Sequence, residues 1–362
     1  MKKILFSAYN LDLGGIETAL ITLLNFLAEK GYDITLVLEK KEGVFLNKIS
    51  EKIKIVEYSV SNDKNLIKRK FVNFLAQIKF KLKYNNKFDF SASFATYSIP
   101  GSFVARTSSK NSALWGHADY LTLFNDNKEE MRDFFVKRKY NEFEHVVFVS
   151  EEGKNSFLAL FPEMESKTVV CNNLINAEEI IKKSKENVID LEKESIPTFV
   201  NIGRHDEKQK KLSRIIEATC RLKAENEKLR VILVGDGKDT RMYKEMVKKY
   251  DLEDYIIFLG RKENPYPYFN LSDCVILSSD YEGYPVVYLE SFVLNKPIIT
   301  TRLSDYEQVE GRGIVVEKNV DSIYNAMKNF IKNGYVLTNK FDYKKYNEDI
   351  IGKIENLINN TK

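Results

Sequence analysis

Glu282 and Glu290 stand with seven residues between them, in Ser278-Ser279-Asp280-Tyr281-Glu282-Gly283-Tyr284-Pro285 followed by an apolar run over 286–294. Pro285 sits where a helix would start, so Glu282 falls in a loop after a strand and Glu290 nearly two turns into the helix. A carboxylate among Val, Tyr, Leu and Phe needs a partner if it is buried, and paired hydroxyls such as those of a ribose would serve. An exposed helix glutamate is the plain alternative. Asn201-Ile202-Gly203-Arg204 closes another apolar run, with Lys208, Lys210 and Lys211 just beyond. Permanent positive charge there suits a diphosphate, Arg as a fork of donors and Lys as a point charge. The alternative is a solvated basic loop. Gly14-Gly15 and Gly235-Asp236-Gly237 each follow an apolar run, where glycine either permits a tight turn or lets a ligand approach the backbone. His117, in Trp115-Gly116-His117-Ala118-Asp119, ends a strand and is either structural or aimed into a cleft. His145 starts a strand and His205 sits in a charged loop.

Strand-like runs alternate with helical periods through most of the chain, the pattern of parallel sheets with crossover helices. In the first half, strands are expected at 3–8, 33–38, 88–94, 112–115, 145–149 and 168–171. A helix over 16–29 places Leu20, Leu23, Leu24 and Leu27 on one face. Residues 176–196 are polar and rich in Lys and Glu and end at Pro197, which marks a linker. A second series follows, with strands at 198–202, 230–234, 255–259, 273–277, 297–300 and 313–316 and helices over 212–225 and 239–250. The resulting organisation is an α/β domain over 1–175, the linker, and a second α/β domain over 197–340. In open sheets of this kind, ligands bind at the carboxyl ends of the strands.

At 362 residues the chain is long enough for two α/β domains, and 43% hydrophobic with 30% charged residues is ordinary for a globular protein. Cys171, Cys220 and Cys274 are scattered among apolar or small neighbours, which fits neither a disulfide framework nor a metal site and suits a reducing cytoplasm. The opening MKKILFSAYN is broken by polar residues too early for a signal peptide, and no run is long enough to span a bilayer. The net charge of +4 is mild, but residues 64–87 hold eight Lys or Arg and no Asp or Glu. Ile67, Phe71, Phe74, Leu75, Ile78 and Leu82 recur there at helical spacing. The expectation is a surface helix that buries this stripe on its own domain, to which docking at an anionic membrane can be added. No nucleic-acid-binding motif accompanies the patch.

The Glu282-x7-Glu290 spacing within EGYP and an apolar helix resembles the signature of retaining glycosyltransferase family four, of the two-domain GT-B fold. Gly14-Gly15-Ile16-Glu17, Gly203-Arg204 with a downstream lysine, and Gly235-Asp236-Gly237 fall in that family's order, and the resemblance covers essentially the whole chain. It implies two Rossmann-like domains facing each other across a cleft, the first binding an acceptor and the second a nucleotide sugar, with 341–362 crossing back onto the first. The resemblance implies that Gly15, beside Gly14, meets the donor diphosphate and that Arg204 and Lys210 neutralise it. Glu290 would take the ribose, while Glu282 with the backbone at Gly283 and Tyr284 would take the donor sugar. His117 would touch that sugar, and backbone near Gly260 would read the base. The family spaces its Arg and Lys one residue closer than Arg204 and Lys210, which leaves Lys208 and Lys211 as rivals. Residues 115–119, together with 148–151 and 169–176, add a narrower likeness to Gram-positive polysaccharide-building members.

The implied activity is transfer of a hexose or N-acetylhexosamine from a nucleotide diphosphate, UDP by family frequency, to a saccharide or lipid-linked saccharide. No Asp-x-Asp pattern occurs, so Arg204, Lys210 and a helix N-terminus stand in for a divalent metal, and no cofactor is implied. The expected setting is cytoplasmic, peripheral at the inner face of the plasma membrane. Two rivals share the fold: a nucleotide-sugar epimerase, which needs acid and base carboxylates elsewhere, and a non-catalytic partner subunit, which typically loses the glutamate pair.

Overall fold

Ile4, Leu5 and Phe6 in one half of the chain, and Phe199 and Val200 in the other, are wholly buried, as strands covered by helices on both faces must be. The computed structural model describes residues 1–12 and 14–360 and sets these runs inside two separate parallel sheets. The first unit runs from Met1 to Leu174 and takes back the chain from Lys344; the second is Ile175–Tyr343.

The strands of the first unit are β1 (Lys3–Ala8), β2 (Asp33–Leu38), β3 (Lys54–Glu57), β4 (Phe90–Ser93), β5 (Ser112–Gly116), β6 (His145–Phe148) and β7 (Thr168–Val170). Its helices are α1 (Gly15–Glu29), α2 (Leu66–Tyr84), α3 (Ile99–Ser108), α4 (Tyr120–Leu123), α5 (Lys128–Lys137) and α6 (Glu151–Leu158). The sheet order is β3-β2-β1-β4-β5-β6-β7. In the second unit come α7 (Ala177–Lys183), β8 (Thr198–Ile202), α8 (Leu212–Ala224), β9 (Arg230–Val234), α9 (Thr240–Lys249), β10 (Ile256–Gly260) and α10 (Tyr266–Leu271). Then follow β11 (Cys274–Leu277), α11 (Val286–Val293), β12 (Ile298–Thr301), β13 (Gly313–Val316) and α12 (Val320–Asn333), in the sheet order β10-β9-β8-β11-β12-β13. The last helix, α13 (Tyr343–Asn359), packs on the first unit: the Asn111 side chain donates to the Leu357 carbonyl at 2.8 Å and Tyr346 to that of Asn173 at 2.9 Å.

Strand order reverses between β1 and β4 and again between β8 and β11, and at such a switch point the two following loops diverge and leave a crevice. Gly14 ends the loop that leads from β1 to α1, while Arg204 and Glu282 lie in the loops after β8 and β11. Among the described residues no helix is long and apolar enough to cross a membrane.

Three features differ from expectation. Residues 176–196 do not form a plain linker, because α7 begins there and is held in the second unit: Asn264 and Asn270 donate to the carbonyls of Lys183 and Ser184 at 3.0 and 2.6 Å. Strand β3 carries no strand signal in sequence, being a four-residue edge strand with charged ends and only partial burial. The third concerns α2. Its apolar stripe is not buried on the domain; Phe80 and Tyr84 are the buried residues, packed on Tyr58 and Phe103, and the stripe faces outward. Helical spacing reveals that a stripe exists, not what covers it.

Backbone conformation at Gly235 sets the tightest constraint in the second unit. Its φ is +145°, and a Cβ there would overlap the Gly203 carbonyl oxygen. Gly235→Ala is therefore expected to lower stability by at least about 2 kcal/mol, read as a fall in Tm. An unchanged melting curve would mean that the Gly203 turn can shift freely.

Candidate functional site in the second unit

The loops after β8 and β11 start from neighbouring strands and are stitched together along their length. The Asp280 amide donates to the Gln209 carbonyl at 2.8 Å and the Ser278 hydroxyl to the Lys210 carbonyl at 2.8 Å. Arg214, on α8, donates to the Ser278 carbonyl at 2.9 Å and pairs with Asp280 at 2.6 Å. Glu282 lies at the centre, only 8% exposed. Lys210 Nζ donates to its Oε1 at 2.6 Å, Ser279 Oγ to the same oxygen at 2.7 Å, and Gln209 Nε2 to Oε2 at 3.1 Å. A carboxylate this buried is tolerable only with such a full set of donors.

That arrangement separates the three lysines. Lys208 is exposed, and Lys211 turns toward Glu207 and Asp280 at 3.6 and 4.0 Å. Lys210 is brought to Glu282. Arg204 keeps an exposed guanidinium, one nitrogen of which donates to Gln209 Oε1 at 3.1 Å. Gln209 thus links the arginine to the glutamate. Neither Gln209 nor Ser279 announces itself in sequence, since each is a common polar residue whose importance comes from the partner loop.

Glu290 is the fifth residue of α11, and Tyr266, the first of α10, donates its hydroxyl to Oε1 at 3.2 Å. Burial pushes the Glu290 carboxyl up to about 7, and the tyrosine bond only partly offsets this. The expected partner is therefore supplied in part by the protein. Tyr266 carried no signal beyond its place after Asn264-Pro265.

The glycine turns crowd together. Gly203 donates its amide to the Val234 carbonyl at 3.0 Å, and Gly235 donates to the Gly260 carbonyl at 2.9 Å, so the ends of β8, β9 and β10 meet backbone to backbone. In the loop after β11, Gly283 is half-buried and the Tyr284 side chain turns inward, its hydroxyl donating to Gln308 Oε1 at 2.8 Å.

Gly14, Gly15 and His117 belong to the first unit. Gly14 is the extended residue before α1, and a side chain on Gly15, the first helical residue, would meet nothing within 4 Å. A Cβ on Gly14, by contrast, would overlap the Glu17 carboxylate, which folds back over the start of the helix. Glu17 accepts from the Tyr97 hydroxyl at 3.2 Å, and burial raises its carboxyl above the usual range. His117 packs against Phe94 with ring centroids 4.5 Å apart and ring planes tilted by 54°. Burial holds its imidazole down to about 4, against a weaker opposing backbone contact at Phe94, so the ring is neutral at pH 7. Its Nε2 is buried with no hydrogen-bond partner among the described residues.

Two Rossmann-like sheets, with the helix of one half completed by the chain's last segment, define the GT-B class of glycosyltransferase fold. Residues 182–348 match the glycosyl transferases group 1 model, from within α7 to within α13. A Campylobacter jejuni N-acetylgalactosamine-N,N'-diacetylbacillosaminyl-diphospho-undecaprenol 4-alpha-N-acetylgalactosaminyltransferase is 24% identical over 342 residues, 92% of this chain and 91% of that one. An uncharacterized glycosyltransferase of Methanocaldococcus jannaschii is 27% identical over 166 residues, 45% of this chain and 40% of that protein. Among solved structures, Anabaena Alr3699/HepE in complex with UDP and glucose has the same fold, with a TM-score of 0.77 at 16% identity over 98% of this chain and 100% of that one.

The raised Glu290 carboxyl has a signed consequence. Its folded value lies above the ordinary 4.5, so its contribution to stability is full below that pH and is lost as pH rises through about 7. Glu290→Gln removes this loss. Without ligand, the variant should gain in Tm over wild type between pH 5 and pH 8, by thermal melts across that range. A Tm difference independent of pH would mean that Glu290 is ionised throughout.

Proposed function

We propose that the chain transfers a hexose or N-acetylhexosamine, with retention, from a nucleotide diphosphate, UDP above all, to a saccharide or lipid-linked saccharide in surface polysaccharide assembly. The observation that carries this reading is the cluster of Arg204, Gln209, Lys210 and Glu282 at the switch point of the second sheet, with Glu290 nearby in sequence on α11. Arg204 and Lys210 meet the diphosphate, and Glu282 with the Gly283 and Tyr284 backbone takes the sugar hydroxyls. Glu290 accepts from the ribose, and the closely packed turns at Gly203, Gly235 and Gly260 let the nucleotide lie against the backbone. The Campylobacter relative, named for transfer of N-acetylgalactosamine to a diphospho-undecaprenol-linked sugar, and HepE, solved with UDP and glucose, support the choice of acceptor and donor.

The chemistry follows from charge. The bond from C1 of the sugar to the phosphate oxygen breaks, leaving an oxocarbenium-like sugar and a diphosphate whose negative charge the two cations offset. The acceptor hydroxyl oxygen bonds to C1 on the same face, and its proton passes to the departing phosphate oxygen. Atoms and charge balance with no protein nucleophile and no metal. An excluded bulk solvent keeps water from taking the acceptor's place.

A panel of nucleotide sugars, screened in EDTA by thermal stability and turnover, tests the reading. One UDP-sugar should stabilise the chain and be slowly hydrolysed. Arg204→Ala should lower turnover more than about 10-fold, and Glu290→Ala should weaken donor binding about 10-fold with the fold intact. Turnover that disappears in EDTA and returns with manganese would overturn the cation roles; binding of no nucleotide would favour a non-catalytic subunit.

A further inference from the structure

The outward side of α2 carries six apolar residues that the protein leaves uncovered: Ile67 is 83% exposed, Leu82 79%, Phe71 60%, Phe74 57%, Leu75 48% and Ile78 39%. At 3.6 residues per turn all six fall within an arc of about 100°, opposite the buried Phe80 and Tyr84. The lysines sit beside this stripe rather than on it. Lys68, Lys79 and Lys83 lie along one edge and Lys70 and Lys81 along the other. Phe80 is 5.1 Å from Tyr58 and 4.9 Å from Tyr84, ring centre to ring centre, so the inner face is clamped and the helix cannot roll its stripe inward.

We propose that this face of α2 docks on an anionic lipid bilayer, the helix lying flat with its six apolar side chains in the headgroup region and its lysines against lipid phosphates. Four observations select this occupant. The stripe and its flanking cations match what an interfacial helix needs, apolar area on one side and positive charge at both margins. Residues 64–87 hold eight cations and no carboxylate, and the preceding Asp63 is already paired with Lys68 at 2.7 Å. A second copy of the chain would oppose one cationic margin with another across a two-fold axis, which like charges disfavour. The helix is not a span, because Lys68, Arg69, Lys70, Lys79, Lys81 and Lys83 fall within its 19 residues.

Docking also fixes orientation. The chain leaves β3 at its carboxyl end and enters α2 after a short loop, so α2 starts at the edge of the first sheet where Gly14, Tyr97 and His117 lie. A docked helix holds that edge near the lipid, where a membrane-borne acceptor would be presented. This consequence rests on the transferase reading; docking itself does not.

The test is cosedimentation of the full chain with vesicles of phosphatidylcholine alone or containing about 30% phosphatidylglycerol, at low and high salt. Wild type should bind the anionic vesicles, bind the neutral ones at least tenfold more weakly, and release at high salt. Phe71→Ser/Phe74→Ser/Ile78→Ser should lose at least tenfold in vesicle affinity while keeping its melting temperature and its stabilisation by UDP. Equal binding to both vesicles, no binding by wild type, or an unaffected triple variant would overturn the proposal. So would a wild-type dimer in sedimentation velocity that the triple variant turns into a monomer, since the covering surface would then be a second copy. Because UDP stabilisation is read separately, failure to dock is distinguishable from failure of the donor site.

Discussion

The buried pair of Lys210 and Glu282 is the interaction on which the rest of the second unit depends. Each partner comes from a different loop, and those loops leave adjacent strands at the one place where the sheet order reverses. Without Lys210 the Glu282 carboxylate would be buried with only Ser279 and Gln209 as donors. Without Glu282 the two loops would keep their backbone bonds but lose their shared centre. The pair therefore holds a carboxylate and, through Gln209, a guanidinium in fixed relation before any ligand arrives. Preorganised charge of this kind needs no rearrangement when negative charge develops on a leaving group.

Backbone packing sets the second constraint. The turns at Gly203, Gly235 and Gly260 press three strand ends together, and Gly235 occupies a backbone region that side chains rarely adopt. Polar groups of the backbone thus lie close to whatever binds at the strand ends. The first unit offers a comparable surface at the start of α1, where Gly15 opens onto free space beside Glu17 and Tyr97.

Much of this was legible in sequence, and the limits have physical causes. Strands β1, β2, β8, β9 and β13 match their expected bounds residue for residue, because each is a short apolar run bounded by polar or turn residues. The glutamate spacing marked a loop carboxylate and a helix carboxylate, and both lie so. Which lysine approaches Glu282 was not legible. Lys211 takes a left-handed backbone conformation just before α8, and that turn sends Lys210 and Lys211 in different directions. Tyr266 was missed because its role depends on α10 meeting α11, which no local pattern records. The outward roll of α2 was misjudged for the same reason: Phe80 and Tyr84 hold the inner face although six other apolar residues make the stronger stripe. Polar composition over 176–196 likewise hid α7.

The central claim is that fixed cations at the second sheet's switch point hold a diphosphate. Calorimetric titration of the full chain in EDTA with uridine and with UDP tests it most directly. Wild type should bind UDP at least about 10-fold more tightly than uridine, and Arg204→Ala, a change at an exposed side chain, should remove most of that preference while leaving uridine affinity unchanged. Equal affinity for the two ligands, or a preference that survives the arginine substitution, would contradict it.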